Sequence, residues 1–163
     1  MYVALGLGDS AALRKSRHFA TAVRLVLYSL VAVNRAYLRD NPNCPMLYDS
    51  GVRYKNETVA YIQTFENQQK KRIERFDDIP TCLARGWADC DDLGPWRVAE
   101  LRERCHEPAT LRLTWKKIQG QKVFHVQVRR APTKDAKGNV IPGIIEDPSL
   151  HLGMAGGARG DAL

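Results

Sequence analysis

Residues 110–129, TLRLTWKKIQGQKVFHVQVR, decide the architecture. Leu111, Leu113 and Trp115 alternate with Thr110, Arg112 and Thr114, the period-two pattern of a strand with one buried face. Val123-Phe124-His125-Val126-Gln127-Val128-Arg129 alternates again, and the connection KKIQGQK holds Gly120, which suits a hairpin. Phe124, Val126 and Val128 then share the apolar face, and His125 and Gln127 point away from it. A third short strand is expected around Ile144-Ile145-Glu146, after the turn-rich stretch PTKDAKGNVIPG.

Upstream of this hairpin the period is helical. In residues 17–39, Ala22, Leu25, Val26, Leu30 and Val33 recur at spacings of three and four, so that stripe is expected to face the core or a partner. Asn41-Pro42 ends the helix, because the residue before proline is driven out of the helical region. Residues 1–16 read as a loose lead-in and 40–56 as an ordered loop. Residues 57–76 are polar and read as an exposed helix or linker. A short helix at Thr81–Gly86 follows, then one that leads from Cys90 to about Cys105. Helices first and a small antiparallel sheet last give an α+β fold. The expected organisation is an N-terminal helix and loop over 1–56, a candidate partner-binding segment, then a core over 57–154 and a flexible tail over 155–163.

The 163 residues fit one domain. Apolar residues make up 44% and charged residues 26%, a mix that excludes collagen, a long coiled coil and a disordered chain. The net charge of +7 is spread along the chain, and nothing beyond it points to nucleic acid. The most apolar stretch, Leu25 to Val33, falls short of the roughly 20 residues that a membrane span needs. It also lies too far in for a signal peptide. Cys44, Cys82, Cys90 and Cys105 are therefore expected as reduced thiols. Cys82 and Cys105 lie among apolar residues and are expected to be shielded, with Cys44 the more open. Their spacing offers no CxxC pair, so no metal centre is expected.

Cys90, His125 and Asp147 carry the chemistry. Cys90 stands where a loop enters a helix, and the N-terminal dipole there favours thiolate. Asp89, Asp91 and Asp92 oppose that effect. His125 projects from a strand that can hold its ring rigidly. Asp147, before Pro148, can accept a hydrogen bond from one ring nitrogen and set the tautomer of the other. Nucleophile, base and orienter then follow in chain order. Gly94-Pro95 bears on the helix start. Pro95 lacks an N–H and would clash with the Asp91 carbonyl in a continuing helix, so either the helix begins near Asp92 or it is kinked.

These residues resemble the transglutaminase-like, papain-related cysteine superfamily. In that family a cysteine segment opens the core helix, a histidine follows on a strand, often as His-Val, and an aspartate comes third, often as Asp-Pro. The corresponding segments here are Trp87-Ala88-Asp89-Cys90-Asp91-Asp92-Leu93, Phe124-His125-Val126-Gln127-Val128 and Glu146-Asp147-Pro148-Ser149. More narrowly, LYDSGVRY, DIPTCLARGWADCDDL, WRVAELR and EDPSLHLGM are similar to runs in small transglutaminase-like proteins encoded by bacteriophages. The superfamily resemblance covers about residues 76–154, and the phage one reaches back to about residue 47. It implies a Cys-led core helix packed on a small antiparallel sheet. It also implies acyl chemistry on an amide bond, by hydrolysis or by transfer to an amine through a thioester. Cys90 would be the nucleophile, His125 the base and Asp147 the orienter, with no cofactor. The oxyanion would meet the Cys90 backbone N–H and a second donor, for which Trp87 and Gln127 are the candidates. The substrate would be a protein or peptide, and the setting a bacterial cytoplasm or a phage virion. The alternative is a virion or tail structural protein on the same fold, with little or no activity and with self-assembly or other phage structural proteins as partners.

Overall fold

The apolar-periodic stretch forms α1 (Arg17–Asp40) and stops just before Asn41-Pro42. The computed structural model describes residues 2–6, 17–56, 60–63, 70–118 and 121–154. The rest of the lead-in (7–16), residues 57–59 and 64–69, the hairpin tip at 119–120 with Gly120, and the tail at 155–163 lie outside the described residues. By length and composition alone His18–Asp40 would suffice to cross a membrane, yet one side of it is packed into the protein core.

That side is not the one the spacing suggests. Phe19, Val23, Leu27, Leu30, Val31, Asn34 and Leu38 are buried. Of the expected stripe, Leu30 is buried, Val26 and Val33 are half-buried, Ala22 is exposed and Leu25 is 66% exposed. The buried face is rotated by about one residue, or about 100° of helix. Asn34 is the reason. Polar in sequence, it lies fully buried at the centre of the true stripe, where its Oδ1 accepts the Ile79 backbone N–H at 3.0 Å.

After a 3-10 turn at Leu47–Asp49 come β2 (Arg53–Tyr54), β3 (Ala60–Gln63), β4 (Lys70–Asp77), α2 (Ile79–Arg85), β5 (Trp87–Ala88) and α3 (Cys90–Glu103). Asp78 caps α2 by accepting the Thr81 N–H at 3.2 Å. Gly86 closes it in the left-handed region at φ 73°, where a Cβ would be strained. Two segments depart from the sequence reading. The lead-in contains β1 (Tyr2–Gly6), and the supposed linker carries β3 and β4, joined antiparallel in the order β1-β4-β3. Tyr2 pairs with Asp77 and Gly6 with Ile73. A strand whose partner is so distant in sequence leaves no local signal, and in KKRIER charge masks strand character.

The C-terminal third holds the predicted hairpin, β6 (Ala109–Ile118) and β7 (Gln121–Arg130), followed by β8 (Thr133–Lys134), β9 (Val140–Ile141), β10 (Ile145–Glu146) and α4 (Pro148–His151). The sheet order is β10-β7-β6, antiparallel throughout. Leu113 faces Val126 and Leu111 faces Val128 across the hairpin. The result is an α+β fold. Buried Trp96, Leu93 and Leu101 of α3 share one apolar cluster with Val31 and Leu38 of α1, Leu47, Val52 and Val128. That core is continuous across residue 56.

Candidate active site

Cys90 is the first residue of α3. Asp89 stands at the N-cap and Asp92 at the third helical position, and the two close a reciprocal capping box. Asp92 Oδ2 accepts the Asp89 N–H at 3.4 Å. The helix therefore begins at Cys90 and runs on with Pro95 inside it, so the proline does not push the start to Asp92. The Cys90 N–H is among the first-turn groups with no intrahelical acceptor. Cys90 is half-buried and packs against the apolar cluster that includes Leu27, Phe76 and Val126.

Gly94 allows this helix to lie close on the sheet. A Cβ there would fall 2.5 Å from Val126 Cγ1 and 3.5 Å from Leu111 Cδ2. Gly94 is one turn beyond Cys90, and Val126 is the neighbour of His125.

On the other face of β7, His125 and Gln127 both reach Asp147. His125 Nε2 lies 2.7 Å from Asp147 Oδ2, and Gln127 Nε2 donates to the same oxygen at 3.1 Å. Asp147 also caps α4, its Oδ1 accepting the Leu150 N–H at 3.3 Å. Burial alone would raise the Asp147 carboxyl, but the bonds from His125 and Gln127 outweigh it and hold it below its usual range. With Nε2 on the carboxylate, Nδ1 is the ring nitrogen left for proton transfer. The Gln127 amide is held from both ends, because its Oε1 accepts Arg112 Nη1 at 3.2 Å. Of the two proposed oxyanion donors, Gln127 thus has a carboxylate to serve already. The Trp87 ring is stacked by the Arg85 guanidinium, 3.6 Å from its centroid, with the Lys55 ammonium at 5.0 Å.

Asp147 is anchored to α3 through its neighbour. Glu146 accepts Arg97 Nε at 2.5 Å and the Tyr48 hydroxyl, and Arg97 also bonds Glu100. Glu100 Oε1 accepts the Leu47 N–H at 2.6 Å.

The acidic flank of Cys90 carries less free charge than its three aspartates suggest. Asp92 accepts the Asp77 N–H at 2.6 Å and Arg85 Nη2 at 3.0 Å, and Arg85 Nη1 pairs with Asp77 at 2.5 Å. Asp91 is fully buried beside Asp89, and among the described residues no N–H or hydroxyl donates to either of its carboxylate oxygens. Burial, then the charge of Asp89, raises it well above its ordinary value, which favours its neutral form. Ligand atoms of Asp89, Asp91 and Asp92 come within 4.8 Å of one another. Arg85 already supplies Asp92 with the positive charge a cation would bring.

Cys82 is buried and Cys44 half-buried, and burial raises both thiols. Cys105, between Arg104 and His106, is exposed, contrary to the expected shielding. It follows the last turn of α3, beyond the packed face.

Gly94, Arg97 and Arg85 position this site and were not read from sequence. Gly94 was seen only as half of a helix-breaking pair. The two arginines act through partners distant in the chain, which spacing does not reveal. No protein-family model, curated protein or solved structure matches this chain.

Proposed function

We propose that this chain is a transglutaminase-like cysteine protein that acts on amide bonds of a protein or peptide, with Cys90 as nucleophile, His125 as general base and Asp147 as orienter. The carrying observation is the 2.7 Å contact between His125 Nε2 and Asp147, on the strand whose opposite face meets Gly94 of the Cys90-led helix. In this reading His125 Nδ1 takes the thiol proton and the sulfur attacks the amide carbonyl. The tetrahedral intermediate collapses with cleavage of the C–N bond. His125 returns the proton to the departing amine and leaves a thioester on Cys90. Water then yields an acid, or an amine yields a new amide, and either restores the thiol. The paired Asp92 and the raised Asp91 reduce the local charge that would oppose thiolate.

Alkylation with iodoacetamide at about pH 6.5 tests this, because the thiolate is the reacting species and an ordinary thiol is then almost wholly protonated. Peptide mapping should find Cys90 labelled before Cys44, Cys82 and the exposed Cys105. The His125→Ala variant should slow Cys90 by roughly tenfold or more and leave Cys105 unchanged. A Cys90 that labels no faster than Cys105 sinks the enzyme reading.

A second reading, a phage structural or assembly protein on this fold, is favoured by apolar side chains left open. Leu25 and Tyr28 are exposed on α1, and Val140, Ile141, Ile144, Ile145 and Leu150 near β10 and α4. It predicts no excess reactivity at Cys90.

A further inference from the structure

Tyr54 has no part in the chemistry described so far, yet its backbone joins the segments that carry Cys90 and Asp147. In β2 it pairs in parallel register with Ala88 of β5, two residues before Cys90. The next residue confirms the register, Lys55 N–H donating to the Ala88 carbonyl at 2.9 Å. On its other side the Tyr54 N–H donates to Leu152 O at 3.0 Å, just past the helix that Asp147 caps. Its ring is half-buried against the core cluster.

Burial, and then the charges of Cys90, Asp89, Asp91 and Asp147, push the phenol up to about 12. The phenol therefore stays a donor throughout the range in which a cysteine thiolate works. Among the described residues the hydroxyl has no hydrogen-bond acceptor. Gln127, by contrast, spends its amide on Asp147, and the Trp87 ring is stacked against Arg85.

We propose that the Tyr54 hydroxyl, together with the Cys90 backbone N–H, is the donor that stabilises the oxyanion formed when the Cys90 sulfur adds to an acyl carbonyl. The assignment rests on Cys90 being the nucleophile. Negative charge gathers on the carbonyl oxygen as the S–C bond forms and leaves it again as the leaving group departs. Two backbone pairings hold the strand that carries this donor, which limits the reorganisation needed to meet that charge.

The test compares two reactions of the same sulfur. Acylation by p-nitrophenyl acetate passes through a tetrahedral oxyanion and is followed as p-nitrophenolate release. Alkylation by iodoacetamide is a displacement at saturated carbon and forms none. Cys90→Ala defines the background of both. Tyr54→Phe should slow acylation of Cys90 by about 100-fold, in line with removal of one oxyanion donor, and leave its alkylation rate unchanged. If Tyr54→Phe melts early, 3-fluorotyrosine at position 54 replaces it. Its more acidic hydroxyl should shift the pH profile of acylation downward and not that of alkylation. Equal losses in both reactions, or no loss in either, overturn the assignment of Tyr54 while leaving Cys90 as nucleophile. A wild-type Cys90 that is neither acylated nor alkylated ahead of Cys105 removes the nucleophile itself, and the role of Tyr54 falls with it.

Discussion

Replacing Gly94 with alanine tests whether the close approach of α3 to β7 is what seats Cys90. The new Cβ would lie 2.5 Å from Val126 Cγ1 and 3.4 Å from its Cβ, against roughly 3.5–4.0 Å for relaxed carbon contacts. Val126 has no room to yield. It is fully buried, and a β-branched side chain has few alternatives at χ1. The helix and sheet must then separate by about 1 Å, at a cost of about 1–3 kcal/mol for overpacking. Removing a glycine from a helix interior returns up to about 1 kcal/mol. The expected net is a loss of about 1–2 kcal/mol, or a fall in Tm of roughly 2–8 °C for a chain of this size. Thermal melting followed by circular dichroism measures it. In the Gly94→Ala, Val126→Ala double variant the clash disappears. The two changes should therefore be non-additive, with a favourable coupling of at least about 1 kcal/mol. The displacement should also slow iodoacetamide labelling of Cys90, because Gly94 is one turn from the thiol. A Gly94→Ala protein more stable than wild type, with no coupling to Val126, would refute the reasoning.

Two further changes probe the charges around the helix start. Arg85 holds Asp77 and Asp92, whose side chains have no exposure, so Arg85→Ala should cost about 3 kcal/mol by leaving buried carboxylates uncompensated. Melting should fall by roughly 10 °C, and a fall of only a degree or two would show that the pair adds nothing. Asp91, raised from its ordinary value of 3.8 by burial, holds its proton more tightly in the folded than in the unfolded chain. Its contribution is complete below the unfolded value and is lost as pH rises toward the folded one. Melting curves of Asp91→Asn between pH 4.5 and 8 should therefore decline less steeply with pH than those of wild type, and parallel profiles would contradict the assignment.

What could be read from sequence was local. The alternation of residues 110–129 fixed the hairpin because both strands and their turn are contiguous, and it set His125 and Gln127 on one face. Gly94-Pro95 left the start of α3 open, and the capping box of Asp89 and Asp92 settles it at Cys90. The face of α1 was not legible, because Asn34 reads as a surface residue until its bond to the Ile79 N–H is known. β4 was hidden by the charge of KKRIER, and β1 by the distance to its partner. Cys105 was judged by its neighbours in sequence, when its exposure depends on where α3 stops packing. At the site, Gln127 was one of two candidates for the oxyanion. Its commitment to Asp147 depends on how β10 docks beside β7, which no spacing encodes.

The clamp through Arg97 has a consequence for motion. Arg97 lies two turns along the helix that Cys90 begins, and it grips Glu146, the residue before Asp147. Cys90 and Asp147 are thus both tied to one helix, although 57 positions separate them in the chain. The ring of His125 is tethered to that same helix in turn, through Asp147, Glu146 and Arg97. The seat of Asp147 beside His125 should then persist until α3 itself unfolds.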